Sequence, residues 1–250
     1  MSIARADREL ATELARRRLS LKRLEDVIQL MEHIQCTVRR DDGIWWFTEL
    51  YRRVTMAVDA ACRETFFLHP AWMRELVLVF ADLYFEALQL WLQGRRSECP
   101  PAWRVLFVRR FHIRRKGYSP LQFALAGVNA HIQRDLGQAV VRANKAFPHV
   151  CIEDVQEDYR RVNRLLDEVE VEAMRMMATG WIKRAADLTH PWDRRAAMFV
   201  IRLARELAWH TGRWTAALAV RYPGLSRALS AAIEWYAWLC GRLIVMPIGY

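Results

Sequence analysis

Cysteine is scarce and poorly placed for pairing. The five cysteines (Cys36, Cys62, Cys99, Cys151, Cys240) are scattered, odd in number and contain no C-x-x-C pair. That argues against a disulfide framework and a thiolate zinc site, and it suits a reducing compartment. Glycine and proline are also few, 10 and 8 in 250 residues, and such sparse punctuation favours long helices over many short strands. No apolar run is long enough to span a bilayer, which takes about 18 residues or more. The nearest, Leu225 to Tyr250, is broken by Arg227, Glu234 and Arg242. The charged N-terminus lacks the apolar core of a secretory signal, so a cytoplasmic location is expected. Also missing are G-x-S-x-G, H-E-x-x-H, the Walker A loop and G-x-G-x-x-G. Hydride transfer on a Rossmann fold and P-loop hydrolysis are therefore disfavoured, and no motif requires a cofactor or a metal.

What is present is helix-forming and apolar. Hydrophobic residues make up 53% and charged residues 26% of the chain, enough for one large core. The spacing predicts an all-α, single-domain bundle of about eight helices over residues 20–250, after a charged segment, 1–19, read as a frayed or loosely docked helix. Ser20 is the expected N-cap of a helix to about Gln35. Asp41-Asp42-Gly43 leads into a helix from Trp45 to about Cys62, and His69-Pro70 starts one that stops at Gly94. A basic helix is expected over Ala102–Arg115, and a fifth from Ser119-Pro120 to about Phe147. Three more follow, over about Asp154–Thr179, His190–Val220 and Leu225–Leu239, with an extended tail to Tyr250. The 11 tryptophans either fill the core or line a pocket for a flat or greasy ligand.

The fifth helix carries the candidate chemistry. On a helical wheel Leu121, Ala124, Leu125, Val128, Ile132, Leu136 and Ala139 form an apolar arc. Asp135 projects within it, with His131 at one edge and Asn129 at the other, while Gln133 and Arg134 point away. His131 and Asp135, four residues apart, are neighbours on one face. A carboxylate on a core-facing stripe is costly unless bonded, and a hydrogen bond to His131 is the nearest remedy. It would fix the imidazole tautomer and raise its pKa, as in an oriented general base, although a buried structural pair would have the same spacing. Asp82 lies in an almost wholly apolar stretch, Leu76 to Leu88, and is expected to point inward as a second carboxylate near the pair. With Glu86 it could instead supply metal ligands.

Net charge is +10, concentrated at Arg95, Arg96, Arg104, Arg109, Arg110, Arg114, Arg115 and Lys116, against Glu98 alone. Interleaved with Trp103, Phe107, Phe111 and His112, this segment is either an amphipathic helix with a solvated face or a surface for nucleic acid or anionic lipid.

The run Pro120-Leu121-Gln122-Phe123-Ala124-Leu125-Ala126-Gly127-Val128-Asn129-Ala130-His131-Ile132, followed by Asp135-Leu136, resembles the signature of a bacterial family known as domain of unknown function 5995. Phe80-Ala81-Asp82-Leu83-Tyr84-Phe85, Asp158-Tyr159-Arg160-Arg161-Val162-Asn163 and Ala204-Arg205 with Ala208-Trp209 resemble it too. Gln133 and Gly137 stand where that family often has Asn and Pro. The resemblance supports treating Asn129, His131 and Asp135 as a unit but implies no reaction.

The leading expectation is an enzyme that moves protons on a small, largely apolar molecule, of isomerase, lyase or cyclase type. His131 would be the acid/base, Asp135 its orienter, Asp82 a second carboxylate and Asn129 a hydrogen-bond donor. Tyr51, Tyr159, Asn163, Arg205 and Trp209 are further candidate pocket residues. The alternatives are a module that binds an anionic partner through the basic segment, and a metal-dependent hydrolase at His131, Asp135 and Asp82.

Overall fold

A computed structural model of the protein describes residues 3–177 and 191–247. Among them there is no strand, and the all-α expectation is met. The helices are α1 (Ile3–Arg18), α2 (Leu24–Thr37), α3 (Gly43–Arg63), α4 (Pro70–Leu92) and α5 (Pro101–Arg109), the last followed by a 3-10 turn, Arg110–Arg114. Next come α6 (Pro120–Ala130), a π-helical turn (His131–Leu136) and α7 (Gly137–Ala146), which run on as one rod. The chain closes with α8 (Gln156–Met177), α9 (Pro191–Arg221) and α10 (Pro223–Ile244). The expected helix end at Thr179, the start signal at His190 and the last tail residues lie outside the described residues.

Local chemistry sets these boundaries. The helices α4, α5, α6, α9 and α10 each begin with proline, whose missing N–H is no loss in a first turn. The Asp42 carboxylate accepts the Ile44 N–H at 3.0 Å and starts α3. Gly94, at φ +77°, ends α4 in the left-handed region. Buried Asp158 on α8 accepts the Leu68 N–H at 2.8 Å, so it caps the entry to α4 from another helix.

Three expectations need correction. Ser20 closes α1, its hydroxyl donating to the Arg17 carbonyl (2.9 Å), and α2 starts only at Leu24, where Asp26 folds back to accept the Arg23 N–H (2.9 Å). The charged N-terminal helix is not loosely docked. Leu10, Ala11 and Leu14 form a stripe buried against α4 that the surrounding charge obscured. And α10 continues past Leu239 to Ile244, because Gly241 permits close approach to Asn129 and Val105 instead of stopping the helix.

Two apolar clusters build the interior. One joins α1, α2, α3 and α5 with the C-terminal half of α4. The other joins the ends of α3 and α4 that meet α7, α8 and α9. The α6–π–α7 rod runs between them. Two glycines set its crossing with α9: a Cβ on Gly137 would sit 2.8 Å from the Ala208 carbonyl oxygen, and one on Gly212 would overlap the Gly137 carbonyl. Backbone is met on both sides, so no side chain can move aside to make room. Gly212→Ala should therefore lower stability by about 3 kcal/mol, the cost of overpacking at a rigid contact. Urea unfolding would register this, and a change within error would show that the crossing has slack.

Candidate active site

The π turn is where the rod becomes polar. It brings His131, Arg134 and Asp135 together, and a π turn inside an α-helix is frequent at functional sites. Asp135 is fully buried and receives three donors. Trp103 Nε1 on α5 (2.8 Å) and His131 Nδ1 (3.0 Å) both reach Oδ2, and Arg134 Nη1 reaches Oδ1 at 2.6 Å. Arg134 does not point away. Its Nε donates to Glu234 on α10 at 3.1 Å, and the other Glu234 oxygen accepts the Ala102 N–H at the start of α5 (2.8 Å). A buried carboxylate is tolerated with this set of donors, at the cost of fixing every partner.

The His131–Asp135 bond places a proton on Nδ1, because an ionised carboxylate can only accept. Nε2 is then the lone-pair nitrogen, and it is buried without a hydrogen-bond partner. The ring is held in an aromatic box. Phe80 stacks on it, with centroids 3.4 Å apart and planes 6° apart, and Tyr51 meets it edge-on at 4.5 Å. Phe47 and Trp103 each lie 5.7 Å away.

His131 does not have the raised pKa expected of it. Burial, reinforced by the positive Arg134, pushes it below its ordinary 6.5 and outweighs the pull of Asp135. The imidazole is neutral at neutral pH, which leaves Nε2 free to take a proton.

His131 forms part of the wall of an apolar cavity of about 120 Å³. Tyr51, Val54, Thr55 and Val58 of α3, Met73, Leu76, Val77 and Phe80 of α4, and Val128, Ile132 and Leu136 of the rod form three sides. Val162 and Leu166 of α8 and Ile201 and Arg205 of α9 complete it. Two more polar groups reach this space. The Tyr51 hydroxyl is buried with Thr55 beside it, and Thr55 spends its own proton on the Tyr51 carbonyl (2.9 Å). Burial and the nearby Asp135 charge raise the Tyr51 phenol well above its ordinary value, so it stays a donor.

Of the residues singled out in the sequence, His131, Tyr51 and Arg205 line the cavity and Asp135 stands directly behind His131. Asn129 does not join them; its amide donates to the Ala237 carbonyl (2.7 Å) and ties the rod to α10. Asp82 is not near the pair. It faces α1, where Arg18 binds both its oxygens (2.7 and 3.1 Å) and also lies 3.9 Å from Glu86. The apolar stretch around Asp82 led to the inward expectation, but the α4 side chains at the cavity are the neighbouring Leu76, Val77 and Phe80. Tyr159, Asn163 and Trp209 lie behind the wall. The Tyr159 hydroxyl donates to the Arg205 carbonyl (2.6 Å), Asn163 accepts from Arg205 Nε (2.8 Å), and Trp209 packs on Tyr159 (4.7 Å) in the core. Among the described residues no three His, Cys, Asp or Glu side chains cluster as metal ligands. With Asp82 elsewhere, the proposed metal set loses its third member.

The basic segment is largely engaged within the chain. Arg110 is buried between Asp7 and Asp42, at 2.8 Å from each, Arg114 pairs with Asp41 (3.2 Å), and Arg109 bonds the Val245 carbonyl (3.1 Å). Trp103, read in the sequence for the arginines around it, is instead the donor to Asp135. Sequence periodicity carried no sign of that role, or of the part played by Arg134 and Phe80.

This is an all-α protein with a buried carboxylate–imidazole centre at the wall of an apolar cavity. The model of the family of unknown function DUF5995 matches residues 24–247, and the chain belongs to that family. No curated protein and no solved structure matches it. Among the described residues no helix is long and apolar enough to cross a membrane.

Two measurements probe this centre. Trp103→Phe keeps the ring and removes the N–H, and should cost about 1–3 kcal/mol in urea unfolding, the penalty for a deprived buried acceptor. The second concerns pH. An unfolded histidine takes its proton near 6.5 and folded His131 only at lower pH. Between the two values the unfolded chain holds more protons, so stability falls as pH drops below 6.5. Asp42, pushed up to about 6 by burial despite Arg110, works in the opposite sense. The comparison with His131→Gln isolates the histidine: the loss in melting temperature from pH 7 to 5 should be smaller in the variant, and an equal loss would refute the assignment.

Proposed function

We propose that the protein is an acid/base enzyme acting on a small, largely apolar molecule, with His131 as the group that takes and returns a proton. The observation that carries this reading is the unpartnered Nε2 of a neutral imidazole in an apolar wall, backed by a buried carboxylate. A structural histidine gains nothing from an unsatisfied buried nitrogen, whereas a general base needs one.

The step is a proton transfer from carbon. Nε2 accepts the proton, and the C–H electron pair stays on the substrate as a new π bond or an enolate-like charge. The imidazolium that results is stabilised by Asp135 through Nδ1–H, and Arg134 and Trp103 hold that carboxylate in place. Tyr51 takes the donor role first assigned to Asn129, its buried hydroxyl meeting negative charge that develops on a substrate oxygen. Return of the proton to another carbon makes an isomerase, and departure of a leaving group with its electron pair makes a lyase; attack of the freed pair on an electrophilic carbon of the same molecule, with the proton returned to the atom that takes up the displaced pair, makes a cyclase. The apolar walls exclude water that would protonate the intermediate.

Isoxazole, a single flat ring whose N–O bond opens on loss of the proton from the carbon beside nitrogen, tests for such a base without knowledge of the natural substrate. The wild type should open it with saturation, at a rate that falls on acidification below pH 6.5. His131→Gln should lower that rate about 100-fold or more while melting within a few degrees of wild type. Equal rates in the two proteins would defeat the proposal.

A further inference from the structure

Arg205 is the feature of the cavity that proton transfer leaves unused. It is 5% exposed and, among the described residues, the only side chain of full formal charge in the wall. The groups it bonds are neutral. Nε donates to Asn163 Oδ1 and Nη2 to the Tyr159 carbonyl, each at 2.8 Å, and the guanidinium carbon lies 4.5 Å from the centre of the Tyr159 ring. The nearby acids are committed elsewhere. Asp158 accepts the Leu68 and His69 N–H groups, and Glu206 is paired with Arg160 at 3.0 Å. Among the described residues no carboxylate comes within ion-pair distance of Arg205, and Nη1 makes no hydrogen bond. A guanidinium is a planar fork of five N–H donors whose geometry matches a carboxylate. Here Asn163 and Tyr159 fix the plane of a guanidinium that stands in the wall of the apolar cavity.

We infer that the cavity takes a small apolar carboxylate, its anionic group paired with Arg205 and its hydrocarbon body enclosed with His131 and Tyr51. Burying a cation without a counter-ion is expensive, and a ligand that supplies the counter-ion gains that difference on binding. The volume sets the scale of the body. About 120 Å³ is somewhat less than the roughly 150 Å³ of an apolar cavity that accepts benzene, so the hydrocarbon part is the size of one ring. The Met73, Leu76 and Val162 side chains offer it no hydrogen bond, so orientation falls to the charged end. A carboxylate anchored on Arg205 presents one carbon of the body to the base in a fixed way, which proton abstraction requires. The inference rests on the reading of this cavity as the substrate site but does not need His131 to be catalytic.

The test is a binding series of matched probes: cyclohexanecarboxylate, cyclohexylmethanol and cyclohexylmethylamine, titrated by calorimetry or protein NMR. Wild type should bind the carboxylate at least tenfold tighter than the alcohol, and the amine weakest. Arg205→Gln should erase the preference between acid and alcohol, Arg205→Lys should keep part of it, and His131→Gln should leave it intact. If the alcohol matches the acid in wild type, if the acid does not bind, or if Arg205→Gln keeps the preference, the inference is wrong. Should Arg205→Gln fail to fold, the wild-type series and Arg205→Lys decide alone. Because selectivity is read without turnover, an intact preference beside an inert His131 would sink the acid/base reading and leave this one standing.

Discussion

The buried charge of Asp135 is the constraint around which the centre of the molecule is organised. A carboxylate with no access to water survives only if its partners are fixed, and here they come from separate parts of the chain: Trp103 from α5, His131 and Arg134 from the π turn. Arg134 passes the constraint to Glu234 on α10, and Glu234 returns it to the start of α5. The loop of charge-assisted bonds thus closes on itself and fastens α5, the rod and α10. Removing Arg134 would leave the Asp135 carboxylate without a counter-charge in the interior, a loss of about 3–5 kcal/mol in comparable settings. The apolar clusters on either side supply the burial that makes the charge so demanding.

That burial also tunes the chemistry. It discourages charge on His131, and in the proposed reaction that would keep a base available at neutral pH, with Asp135 placed to stabilise the imidazolium. The aromatic box prevents the ring from turning, since Phe80 covers one face and Tyr51 the edge. Stability and the proposed reactivity would therefore draw on the same contacts.

Much of this was legible in the sequence. Proline and capping residues announced most helix starts, and the four-residue spacing of His131 and Asp135 was enough to expect their hydrogen bond. The failures share a cause. A wheel at about 100° per residue assumes one helical pitch, and the π turn breaks that assumption at the residues of interest, so Arg134 was assigned to solvent. Asn129 and Asp82 were judged by the apolarity of their neighbours in sequence, but their partners, the Ala237 carbonyl and Arg18, are more than sixty residues away. Trp103 shows the same limit in reverse: its indole N–H is committed to a residue 32 positions distant. Long-range pairing is decided by packing, and periodicity is silent about it.

The π turn has a bearing on how such a chain can change. It makes the rod hold one residue more than an unbroken α-helix would over the same length, so every side chain beyond it is rotated by about 100° relative to those before it. A deletion that restored regular pitch would unwind that rotation. Gly137 would leave its seat against Gly212, and Asp135 would swing away from Trp103. Packing of the second half of the rod and assembly of the polar centre are thus written into the same extra residue. A change of length in this segment would therefore cost the fold and the centre together.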